Sequence, residues 1–338
     1  MSENLGQKVS KPVGMKAAAE AKIAAGAGSV AEQGCAGETK TAAEKLTAAE
    51  KLTAAGGRNI LLVNDLPGYG KVALAAMTPI LSRLGHYVFQ LPTAVVSNTL
   101  DYGKFRIQDM TEFMRDTLVV WKELGFEPEC ICTGFILSEE QADLIGGYIR
   151  QLRQERASRL LVVVDPIMAD GGKLYNGIGP ERVIAMRRLL VHADVMVPNM
   201  TEASFLTGIR PGKETGTSEE IRELVEGLRE ISGKSVVITS AVMQRNAGDM
   251  IHLVCGYDHL RNEYFEIPYD FLPVRIAGSG DIFSAVMTGE LLKGKSLEEA
   301  AGKAVRALSR LIEENQSHME EYKGIVVERY WELLGAER

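Results

Sequence analysis

Leu160-Leu161-Val162-Val163-Val164-Asp165-Pro166-Ile167-Met168-Ala169-Asp170-Gly171-Gly172 sets five aliphatic residues against a turn that carries two carboxylates and ends in glycines. An apolar run this short, with no polar alternation, reads as a strand covered on both faces, the environment inside a parallel sheet. Parallel strands need crossovers, and the neighbouring segments supply them. Upstream, Ile60 to Val63, Tyr87 to Leu91 and Cys130 to Gly134 read as strands, separated by helical patterns from Val72 to Leu84 and from Met110 to Leu124. A further helix runs from Ser138 to Gln154, capped by Ser138 with acids at Glu139 and Glu140. Downstream, Val195 to Val197, Val236 to Thr239 and Met250 to Val254 read as strands, with helices near 180–190 and 218–231. Helices near 281–293 and 297–314 and an amphipathic piece around 325–334 close the chain. The expected fold class is α/β: a doubly wound, mostly parallel central sheet flanked by helices, whose ligands sit at the carboxyl ends of strands.

The first 56 residues have another texture. They hold no aromatic residue and no arginine, and Thr41-Ala42-Ala43-Glu44-Lys45-Leu46 is repeated at once as Thr47-Ala48-Ala49-Glu50-Lys51-Leu52. A period of six suits neither a coiled-coil seam nor a strand, and large apolar groups are too few to fold alone. Residues 1–56 are expected to be a disordered extension without catalytic role, and 57–338 a single folded domain. No compact apolar stretch marks a secretory signal.

A net charge of −7 with no basic cluster argues against nucleic acid or an anionic membrane as partner. No apolar run approaches the roughly 20 residues that span a bilayer. Cys35, Cys130, Cys132 and Cys255 form no disulfide framework, and a lone C-x-C lacks half a zinc site, which suits thiols in a reducing cytoplasm.

The strand ends carry the chemistry. Asn64-Asp65 and the loop Leu66-Pro67-Gly68-Tyr69-Gly70-Lys71 follow the first strand; they lack Walker spacing and read better as a substrate-facing polar pair. Asp165 and Asp170 suit a hard cation carried by a nucleotide. Asn199 and Glu202 open a helix, where they form a capping box or serve a ligand. Thr239 and Ser240 offer hydroxyls to phosphate oxygens. Ala277-Gly278-Ser279-Gly280-Asp281 then runs into the apolar helix beginning Ile282-Phe283. Free N–H groups and the positive dipole end favour an anion there, and glycine lets backbone approach a phosphate. Asp281 would repel that phosphate, yet it makes sense as the base that takes a proton from an attacking hydroxyl. A glycine-rich turn with Asp281 as helix cap is the competing reading.

These motifs resemble the ribokinase superfamily and, within it, the pyridoxal/pyridoxamine kinase branch. Gly278-Ser279-Gly280-Asp281 is similar to the superfamily's Gly-(Thr/Ser)-Gly-Asp, Asn199 and Glu202 to its Asn-x-x-Glu, and Asp165-Pro166-Ile167-Met168 to its Asp-Pro-(Val/Ile)-Met. The stretch from Asn64 to Lys71, Ser97-Asn98-Thr99-Leu100-Asp101-Tyr102-Gly103 and Thr133-Gly134-Phe135-Ile136-Leu137-Ser138 resemble the vitamin B6 branch. The resemblance covers everything but the N-terminal extension.

It implies ATP-dependent phosphorylation of the 5′-hydroxymethyl group of pyridoxal, pyridoxamine or pyridoxine. Asp281 would be the base, with the amides of Gly278, Ser279 and Gly280 as the anion hole. Asp165, Asp170 and Glu202 would organise Mg²⁺, supported by Asn199; Thr239, Ser240, Ser279 and Gly280 would meet the nucleotide. Asp65, Tyr69, Ser97 and Tyr102 would meet the substrate. The resemblance also implies a homodimer and admits a monovalent cation such as K⁺. Departures lie in the lid: where many relatives read Ser-Asn-His-Thr, this chain has Thr99 for the His and Leu100 for the Thr. A hydroxymethylpyrimidine kinase and a non-catalytic ligand-binding protein on the same scaffold are the alternatives.

Overall fold

The computed structural model describes residues 57–155, 160–175, 178–246, 248–274, 276–316, 324–330 and 332. The expected extension, 1–56, lies outside the described residues.

Strands β1 (Asn59–Pro67), β2 (Tyr87–Val96), β4 (Cys130–Thr133), β5 (Leu161–Val164) and β8 (Val195–Met196) pair in parallel in the order β8-β5-β4-β1-β2. β10 (Ser235–Asn246) adds to β8 in parallel through its first residues. Antiparallel strands close both sides: β3 (Ile107–Asp109) on β2, and β11 (Asp249–Asp258) then β12 (Glu263–Pro268) beyond β10. The two-residue β9 (Thr215–Gly216) pairs with β10 off this path, and β6 (Ala169–Asp170) with β7 (Lys173–Leu174) makes a separate hairpin. Gly171 and Gly172, at φ 61° and 76°, turn that hairpin.

Alternation along the strands explains the layers. Leu61, Val63, Ile131, Val162 and Val164 face helices α2 (Thr111–Leu124), α3 (Glu139–Glu155), α4 (Pro180–Leu190), α5 (Met200–Thr207) and α6 (Ser218–Ser232). Ile60, Leu62, Cys130, Cys132 and Val163 face α1 (Ala73–Arg83), α7 (Ser279–Leu292) and α8 (Leu297–Asn315). Each fully buried aliphatic side chain contributes about 1.5–3 kcal/mol, so strands apolar on both sides are held by two helical layers at once. α7 is buried continuously from Asp281 to Glu290, between the sheet and α8.

The parallel core and its helices agree with the sequence reading. The antiparallel margins do not appear in it: β2 continues past Leu91 to Val96, and β3, β6, β7, β9 and β12 are additional. Two- and three-residue strands carry no periodicity, and β12 alternates only at a half-exposed edge. Around 325–334 the described residues form a 3₁₀ turn, Val327–Arg329, rather than an amphipathic helix. Lys303 of α8 reaches the buried Glu290 carboxylate of α7 at 3.0 Å.

Candidate active site

Among the polar residues of the largely apolar helix α7, Asp281, Ser284 and Thr288 stand at positions i, i+3 and i+7, a spacing that keeps them on one face. Each meets a different strand. Asp281 Oδ1 accepts from the amide of Asn64, within β1, at 3.1 Å. Ser284 Oγ donates to Asp165 Oδ2, just past β5, at 2.9 Å. Thr288 Oγ1 lies 3.9 Å from the Cys132 sulfur on β4. Strand alternation determines which side chains wait there: Asn64 follows Ile60 and Leu62 on the α7 side, and Asp165 follows Val163.

The helix start is open. α5, α6 and α8 begin with complete capping boxes, at Asn199/Glu202, Thr217/Glu220 and Ser296/Glu299. No side chain caps α7, whose N-cap is Gly278 at φ +85°. A Cβ there would lie 2.5 Å from the Lys71 carbonyl oxygen, so the close approach of the two backbones and the left-handed φ both require glycine. Gly280 is exposed, and a Cβ on it would meet nothing within 4 Å. Beneath this exposed turn, Asp281 is only 8% accessible, and its Oδ2 accepts the Ala73 N–H at 2.8 Å. Ala73 adopts φ +48°, a conformation uncommon outside glycine.

Burial crowds several carboxylates into unfavourable surroundings. It pushes Asp281 up to about 6, against the pull of the Ala73 N–H and the Asn64 amide. Asp65 rises to about 7 through burial and then through the charge of Asp281. Asp165 is held well above the carboxylate range by burial and by Glu202 and Asp281, with Ser284 opposing. Glu202 rises to about 7 by burial, opposed by three backbone N–H groups, while Asp170 adds repulsion. Each acid senses the next, in the order Asp65, Asp281, Asp165, Glu202, Asp170.

The carboxylates do not form a direct metal cage. Among the described residues no group of three or more His, Cys, Asp or Glu side chains is placed to hold a metal ion. Glu202, expected to organise Mg²⁺, has its oxygens engaged: Oε1 accepts from Met168 N–H at 2.9 Å and Ala169 N–H at 3.4 Å, and Oε2 from Asn199 N–H at 2.9 Å. Asn199 completes the capping box and donates to Ala169 O at 2.8 Å. The pair therefore fixes the turn that carries Asp165 and Asp170. Such acids suit a hydrated cation brought in with nucleotide phosphates better than a resident ion.

Thr239 and Ser240 occupy a bulge in β10, where the register against β11 shifts between Ile238 and Ala241. A bulge turns side chains out of the ladder, and here Ser240 is exposed at the sheet's carboxyl edge. Thr239 N–H bonds Pro198 O at 3.0 Å and so ties this edge to the start of α5.

Tyr69 and Tyr102 meet edge to face, with ring centroids 5.8 Å apart. Gly68 N–H bonds Val96 O at 2.7 Å and Thr99 N–H bonds Tyr69 O at 3.0 Å. Buried Thr99 lies against Gly70, where a Cβ would come within 2.6 Å of the Thr99 methyl. Ser97 is engaged within the lid: its Oγ donates to Asn98 Oδ1 at 2.7 Å and accepts from Arg106 N–H at 2.9 Å. Leu100 is 49% exposed.

Sequence reasoning missed Ser284, the Ala73 N–H and buried Gln141. Gln141 accepts from Leu137 N–H and donates to Thr93 O, each at 2.8 Å, which bolts the loop after β4 to β2. The polar period along α7 could have pointed to Ser284. Nothing local points to Ala73.

Known proteins resemble most of this chain. The phosphomethylpyrimidine kinase family model matches residues 74–327. A pyridoxal kinase of Rubrobacter xylanophilus is 28% identical over 268 residues, covering 76% of this chain and 88% of that protein. The pyridoxal kinase of Arabidopsis thaliana is 32% identical over 241 residues, covering 69% and 74%. A crystal structure from Bacteroides thetaiotaomicron, described as a phosphomethylpyrimidine kinase and obtained with pyridoxal, superposes with a TM-score of 0.76 at 33% identity, covering 82% of this chain and 96% of that one. With the uncapped helix above Asp281 and the family model spanning most of the chain, this protein belongs to the phosphomethylpyrimidine kinase family, in the ribokinase-like group that includes the pyridoxal kinases.

Proposed function

We propose that this ATP-dependent kinase phosphorylates the 5′-hydroxymethyl group of a vitamin B6 compound: pyridoxal, pyridoxamine or pyridoxine. The observation that carries the reading is a buried carboxylate, Asp281, directly beneath an uncapped helix start. Asp281 takes the proton of the hydroxyl as the oxygen attacks the γ-phosphorus; the bond from that phosphorus to the ADP oxygen breaks, and ADP leaves. A base in this position contributes about 10²–10⁴-fold. The first-turn amides of Gly278, Ser279 and Gly280 receive the charge that gathers on the phosphoryl oxygens.

Mg²⁺, when bound with the nucleotide, supplies the charge neutralisation that phosphoryl transfer demands. Asp165 and Asp170 would hold it through water, with Asn199 and Glu202 fixing the turn between them. Thr239 and Ser240 would face the nucleotide phosphates. Asp65, Tyr69 and Tyr102 would border the B6 ring, and Ser97 would shape the lid above it. A K⁺ requirement, a homodimer and a cytoplasmic location belong to the same proposal. Among the described residues no helix is long and apolar enough to cross a membrane. Exposed Tyr87, Phe113, Val120 and Leu124 on β2 and α2 support pairing, which sedimentation would test.

The family model's own substrate favours a second reading, a hydroxymethylpyrimidine kinase. Coupled ADP release with Mg-ATP against the three B6 compounds and hydroxymethylpyrimidine separates the two. Turnover with a B6 compound that is lost in Asp281→Asn and on chelation of Mg²⁺ supports the first. Turnover with the pyrimidine alone overturns it.

A further inference from the structure

We infer that Asn64 is a positioning residue for phosphoryl transfer: it fixes the direction in which the Asp281 carboxylate faces the reacting hydroxyl. This deepens the reading of Asp281 as the base and rests on it.

Asn64 is 1% accessible, and both ends of its amide are engaged. Its Oδ1 accepts the N–H of Phe135 at 2.8 Å and that of Asp65 at 3.0 Å. Two N–H donors on one atom identify that atom as the oxygen, so the NH₂ end faces Asp281 Oδ1 at 3.1 Å. Met77 Sδ lies at 3.5 Å on the same NH₂ group. The surroundings are moulded to this side chain. A Cβ at Gly134 would fall 2.2 Å from Asn64 Nδ2, so the Thr133-Gly134-Phe135 backbone passes as close as glycine allows.

With the Ala73 N–H on Oδ2, Asp281 is gripped at both oxygens by donors from different elements, β1 and the start of α1. A carboxylate held this way cannot rotate, and its remaining lone pairs keep fixed directions. Both donors also favour the ionised form, the form that accepts a proton. The titratable groups facing Asp281 are Asp65 from β1, Asp165 from β5 and the Cys132 thiol from β4. Asn64→Leu adds no titratable group to this set, whereas Asn64→Asp adds a carboxyl beside Asp281.

The test uses Asn64→Leu, similar in volume with no donor, and Asn64→Asp, similar in shape with no NH₂. Both are assayed with pyridoxal and Mg-ATP from pH 5 to 9, with thermal melting as the folding control. The expected result is a kcat lower by about 10–100-fold, an ATP KM within about twofold, and an acidic limb of kcat/KM displaced upward by about one pH unit. The displacement is larger for Asn64→Asp, whose added carboxyl also repels Asp281, so if Asn64→Leu does not fold the lowered kcat at an unchanged ATP KM decides the matter. In an Asp281→Asn background, Asn64→Leu lowers the residual rate by less than about twofold, because two residues acting through one step are not additive. An unmoved acidic limb in both variants, or an equal loss in the Asp281→Asn background, overturns the role of Asn64 and leaves the base reading standing. Full turnover in Asp281→Asn alone overturns the base reading, and the inference with it.

Discussion

Ser284 and Asp165, 119 residues apart in sequence, are joined at 2.9 Å where α7 crosses the end of β5. The bond satisfies one oxygen of a buried carboxyl and ties the helix that carries Asp281 to the turn that carries Asp170. Ser284→Ala leaves that acceptor short of a donor, which costs about 1–3 kcal/mol. The expected outcome is a melting temperature lower by about 2–6 °C, read by calorimetry of the ligand-free protein.

Gly278→Ala is expected to damage both stability and turnover. The new methyl would sit 2.5 Å from the Lys71 carbonyl, at a φ of +85° that an L-residue resists. Relief requires moving the loop after β1 or the first turn of α7. Turnover should fall at least tenfold while the helix content seen by circular dichroism persists. A variant of unchanged kcat would show that the amides at 278–280 do not receive the phosphoryl group.

Ligand-free stability should fall as pH rises through the neutral range. Asp281 is raised to about 6, and Asp65 and Glu202 to about 7, from ordinary values near 4. Between pH 4 and 7 the folded state therefore binds more protons than the unfolded chain, and the sign of the linkage makes stability decline with pH. Melting temperatures at pH 5 should exceed those at pH 8, and Asp65→Asn should flatten the difference. A protein that grows more stable from pH 5 to 8 would contradict this reading of the carboxylate row.

The two acids that complete capping boxes on α5 and α6 offer a controlled comparison. Glu202 is buried and also holds the Met168 and Ala169 N–H groups. Glu220 lies at the surface, paired with Arg210. Glu220→Ala should cost about 1 kcal/mol, the usual worth of a cap with an exposed ion pair. Glu202→Ala should cost roughly two to three times as much and abolish turnover, because three N–H groups lose their acceptor and the turn at Asp165–Asp170 loosens. Equal chemical-denaturation midpoints for the two variants would refute the distinction.

What the sequence made legible follows the range of the interactions involved. The run 160–164 and its helical neighbours show their periodicity within a few residues, so the parallel core could be read directly. Asn199 and Glu202 could be read as a capping box for the same reason. Asp281 and its glycines stood out because an acid beside an anion-binding turn is chemically odd. The partners of Asp281 did not: Asn64 lies 217 residues away and Ala73 208, and Ala73 acts through its backbone. Asn64 was legible only as half of a substrate-facing pair; packing turns it toward the helix, where it meets Asp281. Spacing likewise could not reveal that both Glu202 oxygens accept main-chain N–H groups from Met168, Ala169 and Asn199.

Thr99 fits into the space that glycine leaves at position 70, and two backbone bonds join the lid to the loop after β1. The two segments cannot shift independently. At its far end that loop touches Gly278, where the transferred phosphoryl group would rest. A compound that drew the lid down would therefore press on the backbone beside Gly278, and occupation of that helix start would be felt at the lid. Linkage requires this dependence to be mutual: whatever factor the vitamer adds to nucleotide affinity, the nucleotide returns to the vitamer.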